Sequence, residues 1–215
     1  MQLLSVENTL FTIFGYDISL IEFIGTILYL ASVVLVAKRR ILTWPIGIVS
    51  VILYFWLFIQ IQLYADALEQ VWYFVMSIYG WVNWRKSSKL NKEDFRFSSI
   101  STNVNSSLII FSTGIGLALI LSRLDEWFPS LFPEPASYVF VDSITTTASF
   151  MAMYLLAKKR AESWVIWIVV DLIAIWLYLL KGVVFLTLLY CILTIIASLG
   201  LRDWSKKIRS ISAIS

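Results

Sequence analysis

Histidine is absent from the 215-residue sequence, and cysteine occurs once, as Cys191. Without histidine the chain lacks the commonest general base and the commonest metal ligand. A single cysteine forms neither an intramolecular disulfide nor a cluster of thiolates. No phosphate-binding loop of the form G-x-x-x-x-G-K-[ST] is present either. These absences predict a protein with no metal site, no cofactor and no enzymatic activity.

Charge is also scarce. Charged residues make up 14% of the chain, whereas 60% is hydrophobic and 16% is aromatic. A soluble domain has about a quarter of its residues charged, because water-facing surface must be covered. We therefore predict an all-α integral membrane protein whose helices close their own backbone hydrogen bonds within the bilayer. The net charge of +3 is explained below by membrane topology, so no nucleic-acid partner is indicated.

Apolar runs long enough to cross a hydrocarbon core of about 30 Å recur along the chain. They predict seven transmembrane helices at 18–37, 42–60, 66–84, 106–122, 137–157, 163–180 and 183–201. The polar segment 85–105 reads as a linker. The segment 123–136, which holds three of the four prolines, reads as a surface loop anchored by Trp127 and Phe128. Residues 1–17 contain no Lys or Arg, so we expect them to belong to the mature protein and not to a cleaved signal.

The basic residues fix an orientation. If the chain crosses the membrane seven times, every Lys and Arg except Arg123 and Lys181 falls on one side. Basic residues close to the spans are retained on the cytoplasmic side. This pattern predicts an external N-terminus and a cytoplasmic C-terminus in a bacterial inner membrane.

The two halves of the sequence align when the chain is shifted by 120 residues. Tryptophans, glycines and basic residues coincide at this one offset, including the pairs Ala37 and Ala157, Lys38 and Lys158, Trp44 and Trp164, Trp56 and Trp176, Gly80 and Gly200, and Trp84 and Trp204. Chance matching of apolar segments does not readily give such pairs. The segments 18–84 and 137–201 are therefore predicted to be copies of one three-helix unit. Three spans are an odd number, so the fourth span, within 85–136, turns the second copy back, which gives a 3+1+3 parallel repeat.

The strongest candidate site lies on the sixth span. Asp171 follows about eight residues of helix, or about 12 Å, from the start of that span, among apolar neighbours. Trp164, Trp167 and Asp171 follow the spacing i, i+3, i+7, with Tyr178 at i+14, and so share one helix face. Two indoles and a carboxylate can together bind a flat, positively charged ring by stacking, cation–π attraction and charge pairing. In the alternative interpretation, the tryptophans lie at the membrane interface and Asp171 bonds a neighbouring helix.

Other spans carry further candidate substrate-binding residues. These are polar or aromatic side chains at membrane depth, where polar groups usually face a cavity or a partner: Trp44, Ser50, Tyr54, Gln70, Tyr73, Ser77, Asp142 and Thr146. The shift of 120 places Gly47 and Val51 opposite Trp167 and Asp171. The sequence thus predicts a pseudo-symmetric fold with an asymmetric site.

Several segments together resemble the bacterial nicotinamide riboside transporters of the PnuC family. They include WPIGIVS, QIQLYADALEQVWYFVMSIYGWVNW and FVDSITTTASFMAMYLLAKKRAESWVIWIVVD. The most specific part resembles that family's Trp-x-x-Trp-x-x-x-Asn/Asp motif and consists here of Trp164, Trp167 and Asp171. The family includes thiamine-carrying (PnuT) and riboflavin-carrying members. The chain departs from many nicotinamide riboside carriers in having aspartate, not asparagine, at position 171.

The resemblance implies a fold like that of full-length SWEET sugar transporters, often as a homotrimer, with a vitamin bound between the repeats. It also implies facilitated diffusion, followed by trapping through a cytosolic vitamin kinase. Nicotinamide riboside and thiamine are both cations with a flat aromatic ring, so both remain candidate substrates, with nicotinamide riboside preferred. Neutral riboflavin suits a buried carboxylate less well. A membrane sensor or scaffold that transports nothing is the third hypothesis.

Overall fold

The computed structural model describes residues 4–13, 15–89, 95–127 and 138–212. Within these residues, a short antiparallel hairpin precedes eight helices. The elements are β1 (Thr9–Ile13), β2 (Tyr16–Ser19), α1 (Leu20–Ala37), α2 (Thr43–Gln60), α3 (Tyr64–Lys89), α4 (Ile100–Leu121), α5 (Leu124–Trp127), α6 (Val139–Ala157), α7 (Glu162–Leu180) and α8 (Val184–Ser212).

The seven long helices correspond to the seven predicted spans. Six of them have the length and composition needed to cross a membrane, and α3 is the exception. Asp66, Glu69 and Gln70 lie in the first turns of α3, which lowers its hydropathy. Their side chains are not fully exposed, and a cavity described below accounts for their placement.

The structure differs from the sequence prediction at several boundaries. The N-terminal hairpin was not predicted. Helix α3 continues to Lys89, and α4 begins at Ile100, so both ends of the predicted linker 85–105 are helical. The Ser99 hydroxyl fixes the start of α4 by accepting a hydrogen bond from the Thr102 N–H at 3.2 Å. Part of the predicted loop 123–136 forms α5, whereas Phe128 lies outside the described residues.

Six helices form a closed ring. Consecutive helices pack together within α1–α2–α3 and within α6–α7–α8, while α3 contacts α6 and α8 contacts α1. Helix α4 lies outside the ring against α6. Many large apolar side chains on the ring helices are exposed, among them Ile52, Val82 and Ile195. Such a surface is suited to lipid.

The helix ends repeat at the same offset of 120 residues. Arg39 and Lys159, which follow α1 and α6, have left-handed φ values of 57° and 59°. Gln62 and Gly182, which follow α2 and α7, have φ values of 60° and 70°. A left-handed residue just past a helix allows the last carbonyls to be hydrogen-bonded. Accordingly, the backbone N–H groups of residues 40 and 160 donate to the carbonyls five residues earlier, at 2.8 and 2.9 Å.

Two glycines allow close contact with tryptophan at equivalent positions. A Cβ atom on Gly80 would lie 2.3 Å from the Trp44 ring, and one on Gly200 would lie 2.8 Å from the Trp164 ring. Neither distance is compatible with an unshifted side chain. The α2–α3 and α7–α8 packings therefore both depend on glycine facing an indole.

Tryptophans close one end of the ring, which we call the tryptophan end and define by Trp44, Trp84, Trp164 and Trp204. All four are buried in one cluster. The Trp44–Trp84 and Trp164–Trp204 ring pairs are edge-to-face, with centroids 5.3 and 5.6 Å apart. Trp84 and Trp204 lie 5.9 Å from each other and so join the two pairs.

Hydrogen bonds also join α8 to α1 at this end. The Trp204 Nε1 donates to the carbonyl oxygens of Val36 and Ala37, each at 3.2 Å. On the other side, the Asn83 amide donates to the Ala157 carbonyl at 2.9 Å. The ends of α1 and α6 are thus both bonded by side chains from helices of the other half.

The segment 95–98 lies across the tryptophan end. The Phe95 ring contacts both Trp84 and Trp204, at centroid distances of 5.4 and 4.7 Å. The Arg96 N–H donates to the Lys159 carbonyl at 3.3 Å, and the Ser98 N–H donates to the Glu162 carboxylate. The segment therefore adds a further aromatic ring and several hydrogen bonds of its backbone to the tryptophan end.

Candidate functional site

The ring encloses a cavity of about 1560 Å³. Its wall extends from Val6 and the hairpin residue Tyr16 to the tryptophan end. We call the opposite end of the ring the hairpin end and define it by Tyr16, Asp66 and Asp142. The cavity wall contains every candidate from the sequence, namely Trp44, Ser50, Tyr54, Gln70, Tyr73, Ser77, Asp142, Thr146, Trp164, Trp167, Asp171 and Tyr178.

The charged residues of the cavity wall are mostly acidic. Its acidic residues are Asp17, Glu22, Asp66, Glu69, Asp142 and Asp171, whereas Lys181 is the basic residue among the described wall residues. Ion pairs in the described part of the chain join Arg123 to Glu126 and Arg202 to Asp203, and these four residues lie outside the wall. Within the described residues, the carboxylates of the cavity have no salt-bridge partner.

Asp171 is buried in α7, with 4% of its surface exposed. Tyr29 and Tyr190, on α1 and α8, interact electrostatically with its carboxylate. No hydrogen bond or ion pair to this carboxylate is found among the described residues. The interpretation in which Asp171 bonds a neighbouring helix therefore gains no support from the structure.

The other members of the α7 stripe have different surroundings. Trp164 is 1% exposed and packs in the aromatic cluster, so little of its ring is available to the cavity. Trp167 is half-buried and packs against that cluster. Tyr178 stacks on Tyr190 at a centroid distance of 5.5 Å. The stripe thus follows the wall from the tryptophan end towards the hairpin end.

Helices α3 and α6 are bonded to each other through the carboxylate of Glu69, a residue that the sequence analysis did not select. The Thr146 hydroxyl donates to Glu69 Oε1 at 2.7 Å. The neighbouring Gln70, which the sequence analysis selected, donates its amide to the Asp66 carbonyl one turn back, at 3.5 Å. Glu69 lies four residues before Tyr73 on the same helix face. That spacing is the signal that would have identified it.

Ser50 and Tyr54 lie in the wall but also bond α1. The Ser50 hydroxyl donates to the Gly25 carbonyl at 2.9 Å. The Tyr54 hydroxyl lies 2.7 Å from the Thr26 hydroxyl. Because these bonds lie within one half, both side chains also hold α2 against α1.

The hairpin contributes Tyr16 to the hairpin end. Its hydroxyl donates to Glu22 Oε1 at 2.7 Å, and its ring stacks on Phe185 at 5.4 Å. Burial, followed by the hydrogen bond to Glu22, raises the pKa of Tyr16 above that of a free phenol. The hydroxyl therefore stays protonated and donates at neutral pH.

The cavity offers little to a metal ion. Among the described residues, no three His, Cys, Asp or Glu side chains converge as a metal site requires. What converges instead is a set of aromatic rings, hydroxyls and unpaired carboxylates. Such a set can bind an organic cation by stacking, cation–π attraction and charge.

Known proteins resemble the chain over almost its whole length. It is 32% identical to the nicotinamide riboside transporter PnuC of Escherichia coli, with 97% of this chain and 96% of that protein covered. It is 28% identical to the riboflavin/roseoflavin transporter RibM of Streptomyces davaonensis, with 93% and 91% covered. A crystal structure of the vitamin B3 transporter PnuC has the same fold, with a TM-score of 0.62, 20% identity and coverage of 87% and 81%.

A family model gives the same result. Residues 19–206 match the model described as nicotinamide mononucleotide transporter, and this range contains all the long helices except the last residues of α8. The predicted resemblance to the PnuC transporters is confirmed. The chain belongs to the nicotinamide mononucleotide transporter family, and PnuC proteins are among the relatives it matches.

Proposed function

We propose that this protein carries nicotinamide riboside into the cell across the bacterial inner membrane. The observation that carries the proposal is the cavity itself, in which an unpaired, buried Asp171 shares the α7 face with Trp167. An unneutralised carboxylate in a buried site favours a cationic ligand. The positively charged nicotinamide ring supplies that charge together with a flat surface for stacking.

The riboside fits this cavity better than the mononucleotide that gives the family model its description. A phosphate group adds between one and two negative charges and is usually held by arginine, lysine or a helix N-terminus. The described wall has Lys181 as its base against six carboxylates. Electrostatic repulsion therefore favours the dephosphorylated form.

Thiamine is the second candidate substrate. Aspartate at position 171, where many nicotinamide riboside carriers have asparagine, supplies a full negative charge for the permanently cationic thiazolium ring. The mechanism would be the same for both vitamins. The riboside is preferred because the relative at 32% identity is a nicotinamide riboside transporter by name.

The 3+1+3 parallel repeat is also part of the proposal. Its units are the repeats at 18–84 and 137–201, with 85–136 between them, in a SWEET-like arrangement and as a homotrimer. Support comes from the matched left-handed residues, the matched glycine–tryptophan contacts and the position of α4 outside the ring. We infer that the hairpin end faces outward and the tryptophan end faces the cytoplasm, since the basic residues cluster near the tryptophan end.

Transport is proposed to be passive. The cavity lies between two halves whose contacts differ at the two ends, so alternating access requires one end to open as the other closes. No nucleotide-hydrolysing loop is present in the sequence to drive this exchange. A cytosolic kinase that phosphorylates the arriving riboside would make net uptake one-way.

Purified protein in energy-free vesicles tests the proposal. We expect counterflow of labelled nicotinamide riboside without any ion gradient, and competition by excess unlabelled riboside. Thiamine in place of the riboside tests the second candidate. Binding of either vitamin without counterflow would support the sensor hypothesis, and binding of neither would overturn the assignment of a cationic vitamin.

A further inference from the structure

We propose that Glu69 is a specificity-determining residue that recognises the hydrogen-bond-donating group attached to the cationic ring of the substrate. For nicotinamide riboside, that group is the ribose, which would be recognised through its 2′- and 3′-hydroxyls. The inference rests on the proposed function, since it assumes that the ring itself lies near Asp171. It assigns a separate task to the opposite part of the same cavity.

The geometry around Glu69 leaves it free to accept more bonds. Thr146 donates to Oε1 from α6 and fixes the carboxylate across the α3–α6 contact. An ionised carboxylate has about four acceptor positions on two oxygens, and no second donor to Glu69 is found among the described residues. The carboxylate is therefore positioned but not saturated.

The surrounding charges do not neutralise Glu69. The charged groups that act on it are Asp66 and Asp142, and both are acidic. Lys181, the basic residue of the described wall, acts on Asp142 instead. A ligand that brings O–H or N–H donors to this position satisfies the carboxylate, whereas one that brings a phosphate meets repulsion.

A second polar group points to a ligand at the same place. Ser143 lies on α6 one turn before Thr146, is 1% exposed and belongs to the cavity wall. Its Oγ has no hydrogen-bond partner among the described residues. A buried hydroxyl without a partner is costly unless a ligand or a water meets it. Ser143 and Glu69 together provide donor and acceptor groups for a hydroxylated molecule.

Tyrosines separate this position from Asp171. Tyr73 lies in electrostatic range of Glu69 and Tyr190, and Tyr190 lies in range of Asp171. Tyr29 is in range of both Asp171 and Tyr73. Tyr29, Tyr73 and Tyr190 are half-buried residues of the cavity wall, and they connect the surroundings of the two carboxylates. A ligand with a cationic ring at one end and hydroxyls at the other matches this order.

Two ligands distinguish the proposed role of Glu69 from that of Asp171. Nicotinamide riboside and 1-methylnicotinamide share the cationic ring, but the second carries a methyl group in place of ribose. We expect Glu69→Gln to weaken riboside binding about tenfold, the loss of a charge-assisted hydrogen bond, and to leave 1-methylnicotinamide binding within about twofold. Asp171→Asn should weaken both ligands, because it removes the charge that pairs with the ring.

Asp17→Asn is the matched control. Asp17 also lies in the wall at the hairpin end, but the Thr12 hydroxyl bonds it within the hairpin at 2.5 Å. Loss of its charge should leave the binding ratio of the two ligands unchanged. If Glu69→Gln weakened both ligands equally, or neither, the inference would be wrong.

A measurement on the unaltered protein makes the test independent of folding of the variant. The 2′,3′-dideoxy analogue of nicotinamide riboside keeps the ring and the 5′-hydroxyl but lacks the 2′- and 3′-hydroxyls, so it should bind about as weakly as the riboside binds to Glu69→Gln. Equal binding of riboside and analogue would overturn the inference.

If Asp171→Asn changed nothing while Glu69→Gln remained selective, the charge pairing in the proposed function would fail and the role of Glu69 would stand. If thiamine bound and the riboside did not, the same comparison would use thiamine and its thiazolium half alone.

Discussion

The two ends of the helix ring are held together in different ways. At the tryptophan end, four indoles and Phe95 form one apolar cluster, to which the backbone bonds of segment 95–98 are added. At the hairpin end, the halves are joined by separate contacts, such as the stacking of Tyr16 on Phe185 and the hydrogen bond from Thr146 to Glu69. Separation of the halves therefore costs more at the tryptophan end. The cavity carboxylates other than Asp171, which lies in the middle of α7, are found towards the end that is easier to open.

Removal of an indole from the tryptophan end should have the largest effect. Trp204→Ala deletes a fully buried ring and its bonds to the end of α1. We expect a loss of about 3–5 kcal/mol in the free energy of unfolding, the usual range for a buried aromatic truncated to alanine. Thermal unfolding in detergent measures it. Trp176→Ala, at a position 50% exposed, is the control and should cost far less.

Substitutions on α7 test the cavity between the two ends. Asp171→Asn should fold, because asparagine has a similar shape and no charge to bury, and should bind a cationic vitamin about 1–3 kcal/mol more weakly. Trp167→Ala should weaken binding more, through lost stacking area. Isothermal titration with nicotinamide riboside and with thiamine measures both. Unchanged binding by the asparagine variant would make Asp171 a packing residue.

The glycines that face tryptophan sharpen the comparison of the two halves. Gly80→Ala places a Cβ closer to an indole than Gly200→Ala does, 2.3 against 2.8 Å. We expect a destabilisation of about 1–3 kcal/mol for Gly80→Ala, from overpacking, and less for Gly200→Ala. Gly116→Ala, with open space around the added atom, should be neutral or stabilising by up to about 1 kcal/mol. The reverse order in unfolding experiments would contradict this view of the packing.

The hairpin end should give the smallest effect. Tyr16→Phe removes one hydrogen bond to Glu22 and should cost about 0.5–1.5 kcal/mol at neutral pH. Because the pKa of Tyr16 is raised in the folded state, its contribution is complete below the unfolded pKa of about 10 and is lost as the pH rises towards the folded value. Unfolding experiments at rising pH should therefore show the parent losing its advantage over Tyr16→Phe above about pH 10.

The sequence predicts the spans well because length and hydropathy decide them. Helix α7 was expected at 163–180 and is found at Glu162–Leu180. It also predicts that Asp171 and Trp167 face a cavity, since a carboxylate among apolar neighbours needs one. Periodicity alone did not separate Trp164, packed on Trp204, from Trp167, because both lie on the same face of α7. Glu69 was missed because the side chain that bonds it, Thr146, is distant in sequence and approaches only in the fold.

The order of synthesis gives the bond from Trp204 to α1 a further meaning. Helix α1 enters the membrane first, but the side chain that caps its last carbonyls belongs to the last helix of the chain. The inserting protein must therefore hold α1 with an incomplete end until nearly all other helices have been translated. A product that ended before residue 204 would lack both of these hydrogen bonds from α8 to the end of α1. The contact that finishes the end of the first-inserted helix is therefore among the last to form during synthesis.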